Sequence, residues 1–355
     1  MRATQFALRR ILMAISAIGV CLGYSFSALA ASAEVEANKA VAQQYIEAMG
    51  TAEFAAIAAA TEAENHRQLR HEFENLKYNA DDPVLAEVMQ PDLEAITDRS
   101  NTIVQLMGDG DLVAARLQIT GTHSGNLYGI PATGKLIDIA SGAILKLENG
   151  KIVESWFMAE EARLLRQLGA RLPERQDGKI NLAPVYDDVR TFDEALQELM
   201  ANPTDTPEYR HKRLLLAYKA RNKPEDYVSW AMGQHGRTTG RPYATRVRGG
   251  IDNIVERGAE LGVEGSHGQS MSGREDMIGT VVADGDLGMI AFRLTAVNSG
   301  PLYGIPPSGN DLHDWELGFA EFDGDKWTNA WWMADELAFL LTIGNEEALD
   351  FLGGE

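Results

Sequence analysis

The chain is poor in cysteine and in positive charge, and both shortages narrow what it can be. Cys21 is the only cysteine in 355 residues, so no disulfide can close within the chain and its core must hold without covalent staples. Lysine and arginine number 32 against 52 aspartates and glutamates, a formal net charge of −20. Such a surface disfavours nucleic acid and anionic membranes as partners. The sequence also lacks a phosphate-binding glycine loop, a nucleophile elbow and a zinc motif. His66 and His71 stand five apart with no third ligand at metal spacing, and read as surface helix residues. No metal and no cofactor is expected.

What is present begins with a leader. Arg2, Arg9 and Arg10 precede an uncharged run from Ile11, and Ala28-Leu29-Ala30 forms an A-x-A cleavage site. This is the layout of a secretory signal over residues 1–30, which places the mature protein in the periplasm or outside the cell. The alternative is an uncleaved membrane anchor, because Ile11 to Ala33 carries no charge and is long enough to span a bilayer. Cleavage would remove Cys21 and leave no membrane segment.

The rest of the chain repeats itself. Gly108–Gly169 aligns with Ala283–Gly344 without a gap, and 20 of the 62 positions are identical. Both copies carry Asp-Gly-Asp-Leu, Leu-Tyr-Gly-Ile-Pro, a Trp and a Met-Ala pair. A period of 175 is too long for a solenoid repeat, whose periods run at roughly 20–50 residues. It is the size of a domain. The expected organisation is repeat one over 34–172, a proline-punctuated linker over 173–204 and repeat two over 205–348.

Within repeat one, apolar spacing predicts helices over 34–48 and across 52–78. Strands are predicted at 103–107, 112–120, 136–147 and 151–158, then a helix from Glu160 to Leu168. A short helix at 191–200 falls in the linker. Repeat two opens with predicted helices at 208–221 and 225–234 and repeats the strand series from about Met277. Helices followed by a run of antiparallel strands predict an α+β fold, a curved sheet wrapped around helices that leaves a cone-shaped cavity.

The ordered string Thr120-Gly-Thr-His-Ser-Gly, Leu-Tyr-Gly-Ile-Pro-x-Thr-Gly-Lys, Glu-Asn-Gly-Lys-Ile-Val-Glu-Ser-Trp and Glu-x5-Arg-Gln-Leu-Gly resembles the SnoaL-like polyketide cyclases, or ester cyclases, of the nuclear-transport-factor-two-like superfamily. The resemblance implies two tandem cone-shaped α+β barrels of the cystatin-like kind. It also implies that the Gly-Ile-Pro-x-Thr-Gly phrase carries the chain between strands, with Gly129 and Gly134 taking unusual backbone angles.

In that family a cavity carboxylate moves a proton for an intramolecular aldol closure without a cofactor. The matching positions are Glu160 and Asp335, four residues beyond Trp156 and Trp331. Helix-starting carboxylates are the plainer reading of both. His123 could polarise a substrate carbonyl, although its counterpart is Asn298. A mid-strand acid or His is common in the family, and here Ala143 and Gly318 stand there.

Tyr128, Asp138, Trp156, Tyr303, His313 and Trp331 are the expected pocket residues. The cluster Trp315, Trp327, Trp331 and Trp332 reads mainly as core, and the basic stretch Arg237 to Arg248 as a charged loop. Three functions remain open: an acid/base enzyme on a small apolar carbonyl compound, a non-catalytic binder of a small hydrophobic molecule, and an interaction module. In the last, the two repeats form a pseudo-dimer within one chain, with a further homodimer as an extension.

Overall fold

In a computed structural model the described residues are 32–79, 95–172, 189–222, 224–225, 270–302, 305–344 and 348. The leader, the predicted helix at 225–234 beyond its first residue, the basic stretch 237–248 and Tyr303 lie outside them.

The first half opens with helix α1 (32–48), whose Ala42, Tyr45 and Ile46 are buried at the three- and four-residue spacing of one helix face. There follow α2 (Phe54–Thr61), β1 (Glu62–Arg70), α3 (Glu74–Asn79), β2 (Ile96–Asp109), β3 (Leu112–His123), β4 (Leu136–Glu148), β5 (Lys151–Ala159) and α4 (Glu161–Leu168). The continuous helix expected across 52–78 is therefore corrected to helix, strand and short helix. Glu62–Arg70 forms an edge strand, pairing in parallel with β5. Its side chains are almost all polar, and the backbone partner offered by β5 outweighs local helical spacing.

The second half contains β6 (Arg190–Thr191), α5 (Phe192–Ala201), α6 (Pro207–Lys219), β7 (Met271–Asp284), β8 (Leu287–Asn298), β9 (Asp311–Asp323), β10 (Lys326–Ala334) and α7 (Glu336–Ile343). Part of the interval read as linker is thus ordered structure on the second sheet. Thr191 and Glu194 form a capping box at the start of α5, and Phe192, Ala195 and Leu196 are buried in the second core.

The fold is α+β, with two five-stranded sheets ordered β1-β5-β4-β3-β2 and β10-β9-β8-β7-β6. From β7 through α7, every element begins and ends 175 positions after its counterpart in the first half. The recurring phrase behaves alike in both. Leu127 and Ile130 exchange backbone hydrogen bonds of 3.0 and 3.1 Å, as Leu302 and Ile305 do at 3.0 and 2.9 Å. Gly129 and Gly134 take φ of 83° and 67°, the left-handed region a glycine enters without Cβ strain.

Each sheet has one face toward its own helices and one toward the other sheet. Ala143, Leu145, Leu147 and Phe157 pack with Ala42, Tyr45 and Ile46 of α1. The alternate residues Trp156 and Met158 meet Trp315, Leu317, Phe319 and Met333 of the second sheet. At Gly142 a Cβ would lie 2.2 Å from Leu317 Cδ1, so the absence of a side chain there lets the sheets approach. The contact is reciprocal: Asp284 Oδ2 accepts from Gly108 N at 3.0 Å, and Asp109 Oδ2 accepts from Ala283 N at 3.2 Å. Lys39 of α1 reaches Asp284, and Lys212 of α6 reaches Asp109.

Candidate functional site

A cavity of about 270 Å³ opens on the helix-facing side of the first sheet. Tyr45 and Met49 at the end of α1, Phe157 of β5, and Ala95 and Ile96 beside β2 give it apolar walls. Glu72, Arg99, His71, Gln68 and Tyr128 supply the polar groups.

Glu72 and Arg99 are its centre. Arg99 Nη2 donates to Glu72 Oε2 at 2.5 Å and Nε donates to Asn101 Oδ1 at 3.0 Å. Gly50 leaves room for this, since a Cβ there would stand 2.7 Å from Arg99 Cδ. The other carboxylate oxygen, Oε1, is buried and accepts no hydrogen bond from any described residue. A charge-assisted bond to one oxygen and none to the other leaves Glu72 with a spare acceptor site.

Around this pair, burial and the nearby Glu161, Glu72 and Glu74 push the Tyr128 hydroxyl up to about 12, so it stays a proton donor at neutral pH. Burial pushes His71 down, which favours its neutral form. These histidines correct the surface-helix reading. His66 on β1 bonds Ser155 Oγ at 2.7 Å, and His71 lines the cavity.

The carboxylates singled out from the sequence sit elsewhere. Glu160 is buried at the β5–α4 junction, where its Oε2 accepts from Arg163 Nη1 at 2.8 Å and from Ala140 N at 3.1 Å. Burial raises its pKa, against the pull of Arg163. Asp335, at the matching junction, has Oδ2 at 2.7 Å from Arg70 Nη2 and Oδ1 at 2.6 Å from Asn75 Nδ2, both residues of the first half. Neither carboxylate lines the cavity.

His123 is fully buried and braces the recurring turn: its Nδ1 accepts from Thr133 N at 3.3 Å. Asn298 does the same with Oδ1, accepting from Ser308 N at 2.7 Å. The change from His to Asn between the halves keeps the acceptor.

Of the expected pocket residues that are described, the structure brings Tyr128 alone to this cavity. Trp156 and Trp331 face the opposing sheet; Trp156 meets Trp315 edge-on at 5.8 Å, and Arg116 lies 4.4 Å over Trp331. Trp156 and Trp315 also border a cleft of about 510 Å³ between the sheets. Asp138 is exposed, and its carboxylate accepts from Gln118. His313 is half-buried on β9.

Sequence reasoning missed three groups. Glu72 and Arg99 lay in segments assigned to a helix and to no element, so nothing put them on facing walls. Glu161, next to the residue chosen, is fully buried, accepts from Leu76 N at 2.9 Å and from Asn75 Nδ2 at 2.6 Å, and is pushed up to about 8 by burial and by Asp335. In the second half, Asp314 and Glu316 of β9 are buried acids four and two residues before the mid-strand Gly318, where the first half has Ile139 and Ser141. Burial, Glu316 and Asp335 raise Asp314 well above its ordinary range. Strand alternation from Gly318 would have put both acids on its face.

Residues 39–168, which contain this cavity, match the model of the SnoaL-like polyketide cyclase family. The resemblance carried by the Leu-Tyr-Gly-Ile-Pro string therefore holds for the first half as a SnoaL-like segment. Among solved structures, AclR from Streptomyces galilaeus is 26% identical over 38% of this chain and 97% of its own, with a TM-score of 0.30. IdmH, a polyketide cyclase candidate from Streptomyces antibioticus, is 20% identical over 38% of this chain and 99% of its own, with a TM-score of 0.29. A SnoaL-like polyketide cyclase from Agrobacterium tumefaciens is 19% identical over 36% and 94%, with a TM-score of 0.27. No curated protein matches the chain in sequence.

Proposed function

We propose that this is an exported, cofactor-independent acid/base enzyme of the cyclase or isomerase type, built from two tandem SnoaL-like cone-shaped domains joined as an internal pseudo-dimer. Its site is the cavity of the first domain, and its substrate is a small, largely apolar carbonyl compound. The observation that carries the reading is Glu72: a carboxylate among the cavity's lining residues, anchored through one oxygen by Arg99, whose other oxygen takes no donor among the described residues.

In this mechanism the α-carbon proton of the bound carbonyl compound passes to Glu72, and the negative charge moves to the carbonyl oxygen. The Tyr128 hydroxyl, held protonated, donates to that oxygen. The proton then returns to carbon, for isomerisation, or to the alkoxide formed when the enolate closes on a second carbonyl. The shared 175-residue offset and the reciprocal Asp109 and Asp284 contacts support the tandem pseudo-dimer. The A-x-A leader supports export to the periplasm or beyond.

The test is α-proton exchange of 2-tetralone in D₂O, followed by proton NMR with the mature protein. Acceleration by the wild type, lost about 10²- to 10⁴-fold in Glu72→Gln with the fold intact, is the expected result. Exchange that survives in Glu72→Gln removes this carboxylate from the mechanism. Saturable binding of 2-tetralone without exchange favours the non-catalytic binder, a reading supported by the missing mid-strand acid at Ala143.

A further inference from the structure

We propose that Asp335, from the second half of the chain, is a positioning residue for the cavity of the first half. It acts by holding the segment 70–76 that presents Glu72. The inference rests on the reading of Glu72 given above.

The segment is pinned at both ends by the same carboxylate. Arg70 closes β1, and its Nη2 lies 2.7 Å from Asp335 Oδ2. Asn75, in the first turn of α3, donates through Nδ2 to Asp335 Oδ1 at 2.6 Å. Between these anchors stand His71, Glu72 and Phe73, all on the cavity wall. All three members are buried, with Arg70 at 1%, Asn75 at 0% and Asp335 at 3% exposure. Water cannot substitute for a lost partner at such depth.

For Arg70 the first half supplies only a looser alternative. Glu161 Oε2 stands 3.9 Å from Arg70 Nη2, beyond hydrogen-bond reach, and is already bonded to Asn75. The guanidinium lies 5.7 Å over the Trp156 ring, which faces the second sheet, so Arg70 is directed toward the other half of the chain. Its direct carboxylate partner comes from there. Without Asp335, Arg70 would be a buried cation facing Glu161 at ion-pair distance, and Asn75 would lose the Asp335 acceptor at 2.6 Å. The α3 end would still be held by Glu161 through Leu76 N and Asn75, so the segment carrying Glu72 would be loosened chiefly at its Arg70 end, although Asp335 does not line the cavity.

The experiment uses the full mature chain and two variants, Asp335→Ala and the isosteric Asp335→Asn. The first readout is the ¹H–¹⁵N spectrum of the backbone amides of residues 71–76 and of the Asn75 side-chain amide. Asp335→Ala is expected to shift these resonances while those of β2 and β3 stay in place. Asp335→Asn keeps an oxygen for Asn75 and is expected to shift the Asn75 signals less than those at Arg70 and His71. If the alanine variant does not fold, the asparagine variant carries the same readout.

Unchanged 71–76 resonances in a folded variant overturn the proposal, whatever the activity. The second readout is 2-tetralone exchange, where positioning predicts a fall in kcat of about tenfold or more with KM within twofold. An unchanged kcat beside shifted amides also overturns it. If the wild type shows no exchange, the enzyme reading fails, and the amide spectrum still decides whether Asp335 organises this segment.

Discussion

The helix-facing sides of the two sheets share one backbone plan and differ in what fills them. On the first, the residues around Tyr45, Phe157 and Tyr128 leave a cavity of about 270 Å³ with an ion pair on its wall. On the second, rings pack upon rings: Phe292 against Phe192 at 5.8 Å, Tyr218 against Trp332 at 5.7 Å and Trp327 at 5.3 Å, and His211 flat on Phe322 at 3.9 Å. The two halves therefore share a frame while their described interiors differ. Among the described residues, the first interior holds space and polar groups and the second holds packed aromatic surface.

The sharpest way to break this comparison is to remove a ring from the filled interior. Trp332 packs with Phe292, Tyr218 and Trp327, and Trp332→Ala is expected to cost about 3–5 kcal/mol in denaturant unfolding. Binding of 2-tetralone to the folded variant should not change. A variant that keeps full stability, or loses the ligand, would contradict a division into a stabilising interior and an open one.

Between the interiors lies the sheet-to-sheet contact, where the expected effect is smaller. Gly142→Ala places a methyl group against Leu317 Cδ1, and overpacking of this kind typically costs about 1–3 kcal/mol. The coupled change Leu317→Ala in the same protein should recover part of the loss. If Gly142→Ala is neutral, the sheets do not approach as closely as the contact requires.

Much of this frame was legible before any coordinates. β3, β4 and β5 fall within three residues of their expected positions because short alternating runs end at turns such as Glu148-Asn-Gly, whose Asn149 and Gly150 take positive φ, whereas β2 begins seven residues before its expected start and β1 was expected as helix. The site was much less legible. Trp156 and Met158 share one face of β5 by strand alternation, but nothing local says whether that face meets a helix or a second sheet. The stretch 52–78 carried helical spacing that includes Leu69, Phe73 and Leu76, while the pairing of Glu62–Arg70 with β5 depends on residues nearly 90 positions away. Glu72 and Arg99 become neighbours only through that pairing. The family position drew attention to Glu160, whereas the more strongly networked acid at this junction is Glu161.

Buried Glu161 also makes stability respond to pH. Its pKa is raised from an ordinary 4.5 to about 8 by burial and by Asp335, against the pull of Arg70 and two amide donors. The folded chain therefore holds a proton that the unfolded chain releases as pH rises above about 4.5. Stability contributed by this group is full below that pH and is lost progressively as pH climbs toward 8. Glu161→Gln should flatten this part of the stability profile, as read by denaturant midpoints between pH 5 and 8. A slope unchanged in the variant would assign the effect to another group, with Asp314 as the next to test.

The smallest effect is expected where the two halves already show the same solution with different residues. His123 and Asn298 occupy matching positions, and each uses a side-chain acceptor to hold the backbone N–H of the turn ten residues later. Their main chains also match: His123 N and O bond Lys135 O and Gly134 N at 2.9 and 2.8 Å, and Asn298 N and O bond Asn310 O and Gly309 N at 2.9 Å each. Because Asn298 performs this task in the second half, His123→Asn should change stability by no more than about 1 kcal/mol, the scale of a typical net hydrogen bond. Exchange of 2-tetralone should be unaffected, since His123 braces the turn and does not line the cavity. A folded His123→Asn protein whose kcat collapsed would return this imidazole to the chemistry. It would also show that the two turns, alike in every bond described above, differ in what they do for the cavity beside them.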